Sequence, residues 1–278
     1  MTKTVAQAML AKVYAEKEVQ DYDKVIAYAD KVMNTTGVEL EDSYETLWGY
    51  DETAIDCMKR NTKEGILEVH WSGGGNWETW MYGRQLDNWD YYFTWAKWIT
   101  PSRDIINDFD KEGDEVRKNQ AIVYYACTWS NYYPASNYPF MYKLRSSYNN
   151  IYWVRLADII LMKAEAEAYK GNLAESAKLV NQIRKRAKLK DLTSDKTGSK
   201  EAMIEAVLHE RRLELAFEGE RWFDLCRNNK VEKYLNGIDN RDSGRIRQVK
   251  QFDSNSYLLP IPQTALDQNT NLEQNPGY

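Results

Sequence analysis

The sequence is short of the residues on which most catalytic and metal sites depend. Its 278 residues include two histidines and three cysteines. Cys57, Cys127 and Cys226 are odd in number and widely spaced, so neither a disulfide framework nor a zinc-ligand spacing follows. His70 and His209 have no Gly-x-Ser-x-Gly turn to serve, and the sequence has no phosphate-binding or dinucleotide-binding glycine pattern. We therefore expect no catalytic residues, no metal and no cofactor.

The sequence also lacks a basic excess and a long apolar run. Lysine and arginine number 37 against 42 aspartates and glutamates, which gives a net charge of −5. An overall negative charge does not favour nucleic acid as a partner. No apolar stretch approaches the roughly 20 residues that span a bilayer. The opening MTKTVAQAM has no apolar core of a signal peptide, so we expect a soluble polypeptide whose Met1 is an artificial start.

Aromatic residues, in contrast, are abundant. The chain has 10 tryptophans and 20 tyrosines, and many of them crowd around a triple glycine in WSGGGNWETWMYGRQLDNWDYYFTWAKW, which we call the aromatic segment (residues 71–98). Its rings follow neither a helical nor a strand period, which indicates a surface loop. Flat apolar rings beside polar side chains suit a concave site for a polar ligand such as a sugar. We predict stacking by Trp77, Trp80, Tyr82, Trp89 and Tyr92, with hydroxyl contacts from Asn76, Arg84 and Asp90.

Two other interpretations of these rings stay open. They can fold back over the protein's own core as a lid, or they can form an interface with a partner protein. Tyr132, Tyr133 and Tyr138, farther along the chain, can either extend an aromatic site or cover helix ends.

Helical hairpins form the predicted framework. Small and apolar residues at helical spacing predict helices over residues 4–18 and 22–33, and a second pair over 156–169 and 173–187. The apolar pattern of the third helix extends back to Tyr152. Hairpins of this kind are typical of tetratricopeptide repeats. We expect a mostly α fold of tetratricopeptide-like helical hairpins with long, irregular, aromatic-rich loops.

Between and after the hairpins the pattern is less regular. We expect one domain over residues 1–278, with hairpins at about 4–33 and 151–189, an aromatic insertion at about 66–150, helices at about 199–235 and an extended tail at 250–278. Within it, EGILEVHW predicts a short strand, Pro101 and Ser102 a helix start, and residues 121–125 a strand. Residues 35–48 and 128–150 are predicted as loops. We expect Leu258, Leu259 and Ile261 to attach the tail.

Charge is densest in ERRLELAFEGERWFDLCR, residues 210–227. Glu210, Glu214 and Glu218 recur every fourth residue among arginines and large apolar side chains, and Gly219 predicts a bend. Buried charge persists when it is paired and hydrogen-bonded. Neighbouring arginines lower a carboxyl pKa, whereas a general acid needs a raised one. We therefore interpret the cluster as a structural ion-pair network and not a catalytic site.

The same stretch resembles the signature of the SusD/RagB family. Two more segments in the same order share the resemblance: IYWVRLADIILMKAEAEAYKGNLAESAKLVNQIRKRAKL at residues 151–189 and YLLPIPQTALDQNTNLEQNPGY at 257–278. The family resemblance implies a tetratricopeptide-like fold and an outer-membrane lipoprotein exposed at the cell surface. It also implies non-catalytic glycan binding for nutrient import, with a TonB-dependent transporter of the SusC type as partner.

The resemblance covers the later half of a usual family member. A lipid anchor is therefore expected to lie outside this chain, and the family's variable binding loops correspond by position to the aromatic segment. Two alternatives remain. RagB-like relatives imply peptide or protein capture, and a helical glycoside hydrolase needs only aromatic platforms and two carboxylates, for which Asp87 and Asp90 are candidates.

Overall fold

A computed structural model describes residues 2–51, 53–54, 56–70, 100–127, 130–143, 145, 148, 150–245 and 250–278. The chain forms two compact units, Met1–Arg221 and Trp222–Tyr278. The helices, numbered here, are α1 (Lys3–Ala15), α2 (Tyr22–Met33), α3 (Tyr44–Trp48), α4 (Arg103–Glu112), α5 (Glu115–Ala121), α6 (Leu156–Lys170), α7 (Leu173–Arg186), α8 (Ser194–Thr197), α9 (Lys200–Glu214), α10 (Arg221–Arg227), α11 (Val231–Leu235), α12 (Ile238–Arg241) and α13 (Gln263–Gln268), with 3-10 turns at Lys17–Val19 and Ser254–Tyr257. The strands are β1 (Tyr50–Asp51), β2 (Asp56–Cys57), β3 (Gly65–His70), β4 (Ile122–Tyr125), β5 (Tyr138–Met141) and β6 (Asn150–Arg155).

The first hairpin begins each helix with a side-chain cap. Thr2 Oγ1 accepts from the Val5 backbone N–H at 3.2 Å, and Asp21 Oδ1 accepts from Lys24 N–H at 3.1 Å. Each bond satisfies a donor that the first turn of a helix leaves unpaired. The buried side of the pair is made of small and β-branched residues, namely Val5, Ala8, Ala11, Ala15, Val25, Ala29 and Val32. The predicted helices over 4–18 and 22–33 are confirmed, with the last turn of the first one formed as a separate 3-10 turn.

Helix α6 is the centre of the first unit. All of its residues from Leu156 to Ala168 are buried, and it packs against α1, α2, α7 and α9. It ends at Gly171, whose φ of +85° is a left-handed conformation that suits glycine. The return helix α7 lies close enough for Ser176 Oγ to donate to the Ala164 carbonyl at 2.7 Å. The prediction of a mostly α fold built on tetratricopeptide-like hairpins is confirmed.

The predicted extension of this helix back to Tyr152 is wrong. Residues Asn150–Arg155 form β6, which pairs with β3 in an antiparallel two-stranded sheet, with Val69 opposite Ile151 and His70 opposite Asn150. Aromatic and β-branched residues favour a pleated strand over a helix. The strand predicted in EGILEVHW is confirmed as β3.

Two predicted loops contain short elements. Residues 35–48 include α3, and residues 128–150 include β5, which pairs with β4 from Ile122 opposite Met141 to Tyr125 opposite Tyr138. Helix α3 and strand β5 are too short for their residues to show a helical or strand period. Burial against the rest of the protein stabilises them, since Leu47 is 2% exposed and Phe140 is 1% exposed. The predicted helix start at Ser102 and the strand over 121–125 are confirmed.

A buried carboxylate joins distant parts of the first unit. Glu214 is fully buried at the end of α9 and accepts hydrogen bonds from Arg155 Nη1 at 2.6 Å, Arg186 Nη2 at 2.6 Å, Arg117 Nη1 at 3.2 Å and the Tyr44 hydroxyl at 2.6 Å. Its four partners come from α3, α5, β6 and α7. One side chain therefore fixes the relative positions of five elements.

Neighbouring carboxylates share the same guanidinium groups. Arg155 Nη1 also donates to Glu64 at 2.8 Å, and its Nε donates to Glu218 at 2.7 Å. Arg117 Nη1 donates to Glu210 at 2.6 Å. The predicted ion-pair network is confirmed as a buried one, and the chain bends at Gly219, whose φ is +89°.

A second cluster attaches the first hairpin to α6 and α9. Lys12 Nζ lies 2.7 Å from Asp158 Oδ2 and 2.8 Å from Glu220 Oε2, and Arg211 Nη2 lies 2.8 Å from Asp158 Oδ1. Burial by itself raises the pKa of Asp158, but Lys12 and Arg211 outweigh burial and hold that pKa well below its usual range. Asp158, in α6, therefore remains a carboxylate and joins its own helix to α1 and α9.

In the tail of the second unit, amide side chains bond to the backbone of the same tail. Gln274 accepts from Ile261 N–H at 2.8 Å and donates to the Ile261 carbonyl at 3.0 Å, and Asn275 donates to the Leu259 carbonyl at 2.7 Å. Leu258 and Leu259 are 52% and 81% exposed. The expectation that these two leucines attach the tail is wrong, because both side chains are largely exposed.

Among the described residues, no helix combines the length and the apolar composition that crossing a bilayer requires.

The buried network predicts a large loss of stability when one carboxylate is replaced by an uncharged amide. We expect Glu214→Gln to lower the free energy of unfolding by about 3–5 kcal/mol. The reason is that three buried guanidinium groups would lose the negatively charged partner that they share. Glu201→Gln is the control on the exposed first turn of the same helix, with an expected change below about 1 kcal/mol. Urea unfolding measures both, and equal losses would contradict this account.

The same network predicts acid sensitivity. Burial raises the pKa of Glu214, but Arg186, Arg155 and Arg117 together leave it well below its usual range. A carboxyl whose pKa is lowered by folding stabilises the fold above its unfolded pKa, near about 4.3, and loses this contribution as the pH falls towards the folded value. The urea concentration at the midpoint of unfolding of the wild type should therefore decrease as the pH is lowered below about 5. In Glu214→Gln it should decrease less steeply. Parallel pH curves for the two proteins would be inconsistent with this origin.

Candidate functional site: an aromatic pocket beside residues 100–103

The predicted ligand contacts lie outside the described residues. Trp77, Trp80, Tyr82, Trp89, Tyr92, Asn76, Arg84 and Asp90 all fall within residues 71–99, as do the candidate acids Asp87 and Asp90. Their roles remain predictions. The structure does describe His70, which precedes the aromatic segment, and Thr100, which follows it.

The strand that leads to the aromatic segment is held by one carboxylate. Glu68 accepts hydrogen bonds from His70 Nε2 at 2.8 Å, from the Thr62 hydroxyl at 2.7 Å and from the Asn61 backbone N–H at 3.2 Å. His70 also lies opposite Asn150 in the β3–β6 sheet. The chain therefore reaches residue 71 from a fixed sheet position.

A pocket of about 910 Å³ opens where the described chain resumes. One side is the first residue of α4, and the other is the loop between β4 and β5. The pocket is lined by Arg103, Cys127, Ser130, Asn131, Tyr132, Tyr133, Pro134 and Ala135. Among the described lining residues there is no carboxylate.

An arginine and two tyrosines form the wall of the pocket. The Arg103 guanidinium carbon lies 4.5 Å from the ring centroid of Tyr132 and 4.1 Å from that of Tyr133. The two rings meet edge to face, with centroids 4.8 Å apart and planes at 80°. Arg103 also donates to the Tyr132 carbonyl. Cation–π contact and hydrogen bonding together hold the guanidinium against both rings.

The tyrosine hydroxyls connect the two sides of the pocket. The Tyr133 hydroxyl donates to the Pro101 carbonyl at 2.8 Å, and the Tyr138 hydroxyl donates to Ser130 Oγ at 3.1 Å. The hydroxyls of Thr100 and Tyr138 are 3.2 Å apart. These contacts join residues 100–103 to residues 130–138.

This arrangement suits noncovalent binding of a polar ligand that has flat apolar faces. Tyr132 and Tyr133 are half-buried, whereas Asn131 is exposed at the rim. Half-buried rings beside amide and guanidinium donors match the composition of such sites. The sequence had indicated Tyr132, Tyr133 and Tyr138 as a possible extension of an aromatic site, and the structure brings them together. The sequence did not indicate Arg103 as a site residue. Its position directly after the Ser102 helix cap is the feature of the sequence that places it at the start of α4.

Comparisons with known proteins agree with this architecture. A family model described as the SusD family matches residues 63–278. SusD-like protein P2 of Formosa agariphila is 26% identical over 317 aligned residues, covering 100% of this chain and 60% of that protein. A solved SusD-like protein from Bacteroides fragilis shares the fold with a TM-score of 0.75 at 20% identity, covering 100% of this chain and 65% of the other. A solved laminarin-binding SusD-like protein has a TM-score of 0.67 at 25% identity, with coverages of 100% and 63%.

The family match extends over most of the chain and includes the ion-pair signature, β6 and the tail. The chain belongs to the SusD family. It spans less than two thirds of the length of each of the three relatives described above.

Proposed function

We propose that this protein binds glycan chains at the surface of the outer membrane and delivers them to a TonB-dependent transporter of the SusC type. The observation that carries the proposal is an arginine-and-tyrosine pocket lined by Arg103, which follows the aromatic segment in the sequence, in a chain of the SusD family. A relative with the same fold binds laminarin, a glycan. Attachment to the membrane through a lipid outside this chain belongs to the same proposal.

The proposed contacts divide between apolar stacking and polar recognition. Trp77, Trp80, Tyr82, Trp89 and Tyr92 would stack on sugar rings, and Asn76, Arg84 and Asp90 would take hydroxyl groups. In the described pocket, Tyr132 adds a further ring and Asn131 a further amide at the rim. Extended glycans suit such a surface because successive sugars can contact several rings in turn.

The chemistry of the described carboxylates supports binding without cleavage. A glycoside hydrolase needs one carboxyl with a raised pKa beside the scissile bond and a second one facing it. Glu214 and Asp158 have lowered pKa values because of their arginine and lysine partners. Burial raises the pKa of Glu220, but this side chain is bonded to Lys12 at 2.8 Å in the turn before α10 and does not line the pocket.

Glycan binding predicts retardation in affinity gels. The wild type should migrate more slowly in gels that contain laminarin or another polysaccharide of a panel, and Trp77→Ala with Trp80→Ala should abolish the retardation. Tyr132→Ala should weaken binding roughly 2- to 10-fold, as expected for the loss of one aromatic contact of about 0.5–1.5 kcal/mol.

The matched control is Trp153→Ala, which removes an indole that is 65% exposed on β6 and should leave retardation unchanged. If the double variant is retarded as strongly as the wild type, Trp77 and Trp80 do not stack on the glycan. If no polysaccharide retards the wild type and calorimetry with peptide pools gives heat, the ligand is a peptide instead.

A non-catalytic role predicts that bound glycan stays intact. Prolonged incubation of a retained polysaccharide with the protein should release no new reducing ends, because no described carboxylate lines the pocket. A reducing-sugar assay measures this, with heat-treated protein as the blank. Release that is lost in Asp87→Asn or Asp90→Asn would establish hydrolysis.

A further inference from the structure

Helix α4 begins at Arg103 in the wall of the pocket and packs against α9. Ile105 and Phe109 of α4 lie in one buried apolar cluster with Leu213 of α9. Apolar burial is non-directional. These contacts therefore favour the approach of the two helices more than they favour one rotation of α4 about its own axis.

Arg212 of α9 binds two carboxylates on successive turns of α4. Its Nη2 lies 2.9 Å from Asp104 Oδ2, and its Nη1 lies 2.7 Å from Asp108 Oδ2. Residues four apart lie on the same face of a helix, so the planar guanidinium holds that face at two points. The three side chains are between 14% and 17% exposed, which limits how far solvent screens the two ion pairs.

Arg212 is itself in a fixed position. Its neighbours in the sequence, Arg211 and Leu213, are fully buried, and Arg211 Nη2 lies 2.8 Å from Asp158 Oδ1. Adjacent residues of a helix point about 100° apart, so α9 uses Arg211 to hold α6 and Arg212 to hold α4. The two consecutive arginines connect one helix to two different neighbours.

The same rotation of α4 decides where Arg103 points. Asp104 directly follows Arg103, so turning α4 until Asp104 meets Arg212 also sets the direction in which Arg103 leaves the helix. In that direction, the Arg103 guanidinium carbon lies 4.5 Å from the ring centroid of Tyr132 and 4.1 Å from that of Tyr133.

We infer that Arg212 is a positioning residue for the pocket, because its two ion pairs fix the rotation of α4 and thereby place Arg103 against the two tyrosine rings. A wall that is already ordered binds a ligand more tightly, since the ligand does not have to order it. This consequence for affinity rests on the proposed function, whereas the placement of Arg103 does not.

The test uses Cys127, which lines the pocket and is 1% exposed. A thiol buried to this degree reacts with iodoacetamide only when the structure around it opens. Arg212→Met removes the guanidinium and keeps an apolar stem. In the full chain, this variant should raise the alkylation rate of Cys127 by roughly 3- to 30-fold, because a wall that Arg103 no longer braces opens more often. Peptide mass spectrometry measures the rate at each cysteine separately.

Cys57 is the internal control for a general loss of stability. It is 8% exposed, belongs to β2 in the same unit and does not line the pocket. Its alkylation rate in Arg212→Met should stay at the wild-type value. An equal rise at Cys57 and Cys127 would mean that the whole unit opens, and it would overturn the positioning role.

Arg212→Lys tests whether the two-point attachment matters. This variant keeps the charge, but one ammonium group lacks the planar fork that reaches both carboxylates. Alkylation of Cys127 should therefore be faster than in the wild type and slower than in Arg212→Met. A wild-type rate would show that the charge alone suffices and would overturn the two-point attachment.

The matched control is Lys118→Gln. It removes the ion pair of Lys118 with Asp110, a residue of α4 whose side chain is 46% exposed. Exposed pairs contribute little, so the alkylation rate of Cys127 should not change. A rise equal to that in Arg212→Met would mean that any weaker attachment of α4 opens the pocket, which contradicts a specific role of Arg212.

The outcomes keep the two proposals separate, because all alkylation rates are measured without ligand. An unchanged rate at Cys127 in Arg212→Met would overturn the positioning role even if the wild type binds glycan. A rise confined to Cys127 would support the positioning role even if no polysaccharide retards the wild type.

Discussion

The structure depends on the pairing of Glu214 with Arg117, Arg155 and Arg186 in a site without solvent. Removing one member would leave the others charged and buried, which is far more costly than the loss of an exposed ion pair. The partners of Glu214 come from helices and a strand that are distant in sequence. The cluster therefore fixes how α3, α5, α7, α9 and the β3–β6 sheet meet, and α5 leads directly into the strand that precedes the pocket loop.

Two short sheets connect the cluster to His70 and to the pocket loop. Arg155 ends β6, and β6 positions β3, which delivers the chain to His70. On the other side, α5 carries Arg117 and continues directly into β4, which pairs with β5 and so places Tyr138. The rigid charged core and the half-exposed rings are thus consecutive parts of one arrangement.

Charge and aromaticity have separate tasks in this chain. Buried Glu214 is matched by three arginines that leave its pKa well below its usual range, so it stays ionised and contributes to cohesion. The rings beside Arg103 remain half-exposed, where a flat face can meet a ligand while a hydroxyl keeps its hydrogen bond. Noncovalent binding needs only the half-exposed rings and their polar neighbours. This is consistent with a pocket whose described lining residues include no carboxylate.

The sequence by itself determined the helical hairpins, the ion-pair signature and the family, because helical periodicity and charge spacing are local properties. It also indicated Tyr132, Tyr133 and Tyr138, since tyrosine-rich loops are visible in composition. It did not determine α3, β5 or β6, whose few residues take their conformation from burial against distant parts of the chain. Only the tertiary structure decided that Arg103 packs against two tyrosine rings and that Tyr138 reaches Thr100. Both contacts join residues about 30 to 40 positions apart, and loop closure of that kind leaves no local pattern in the sequence.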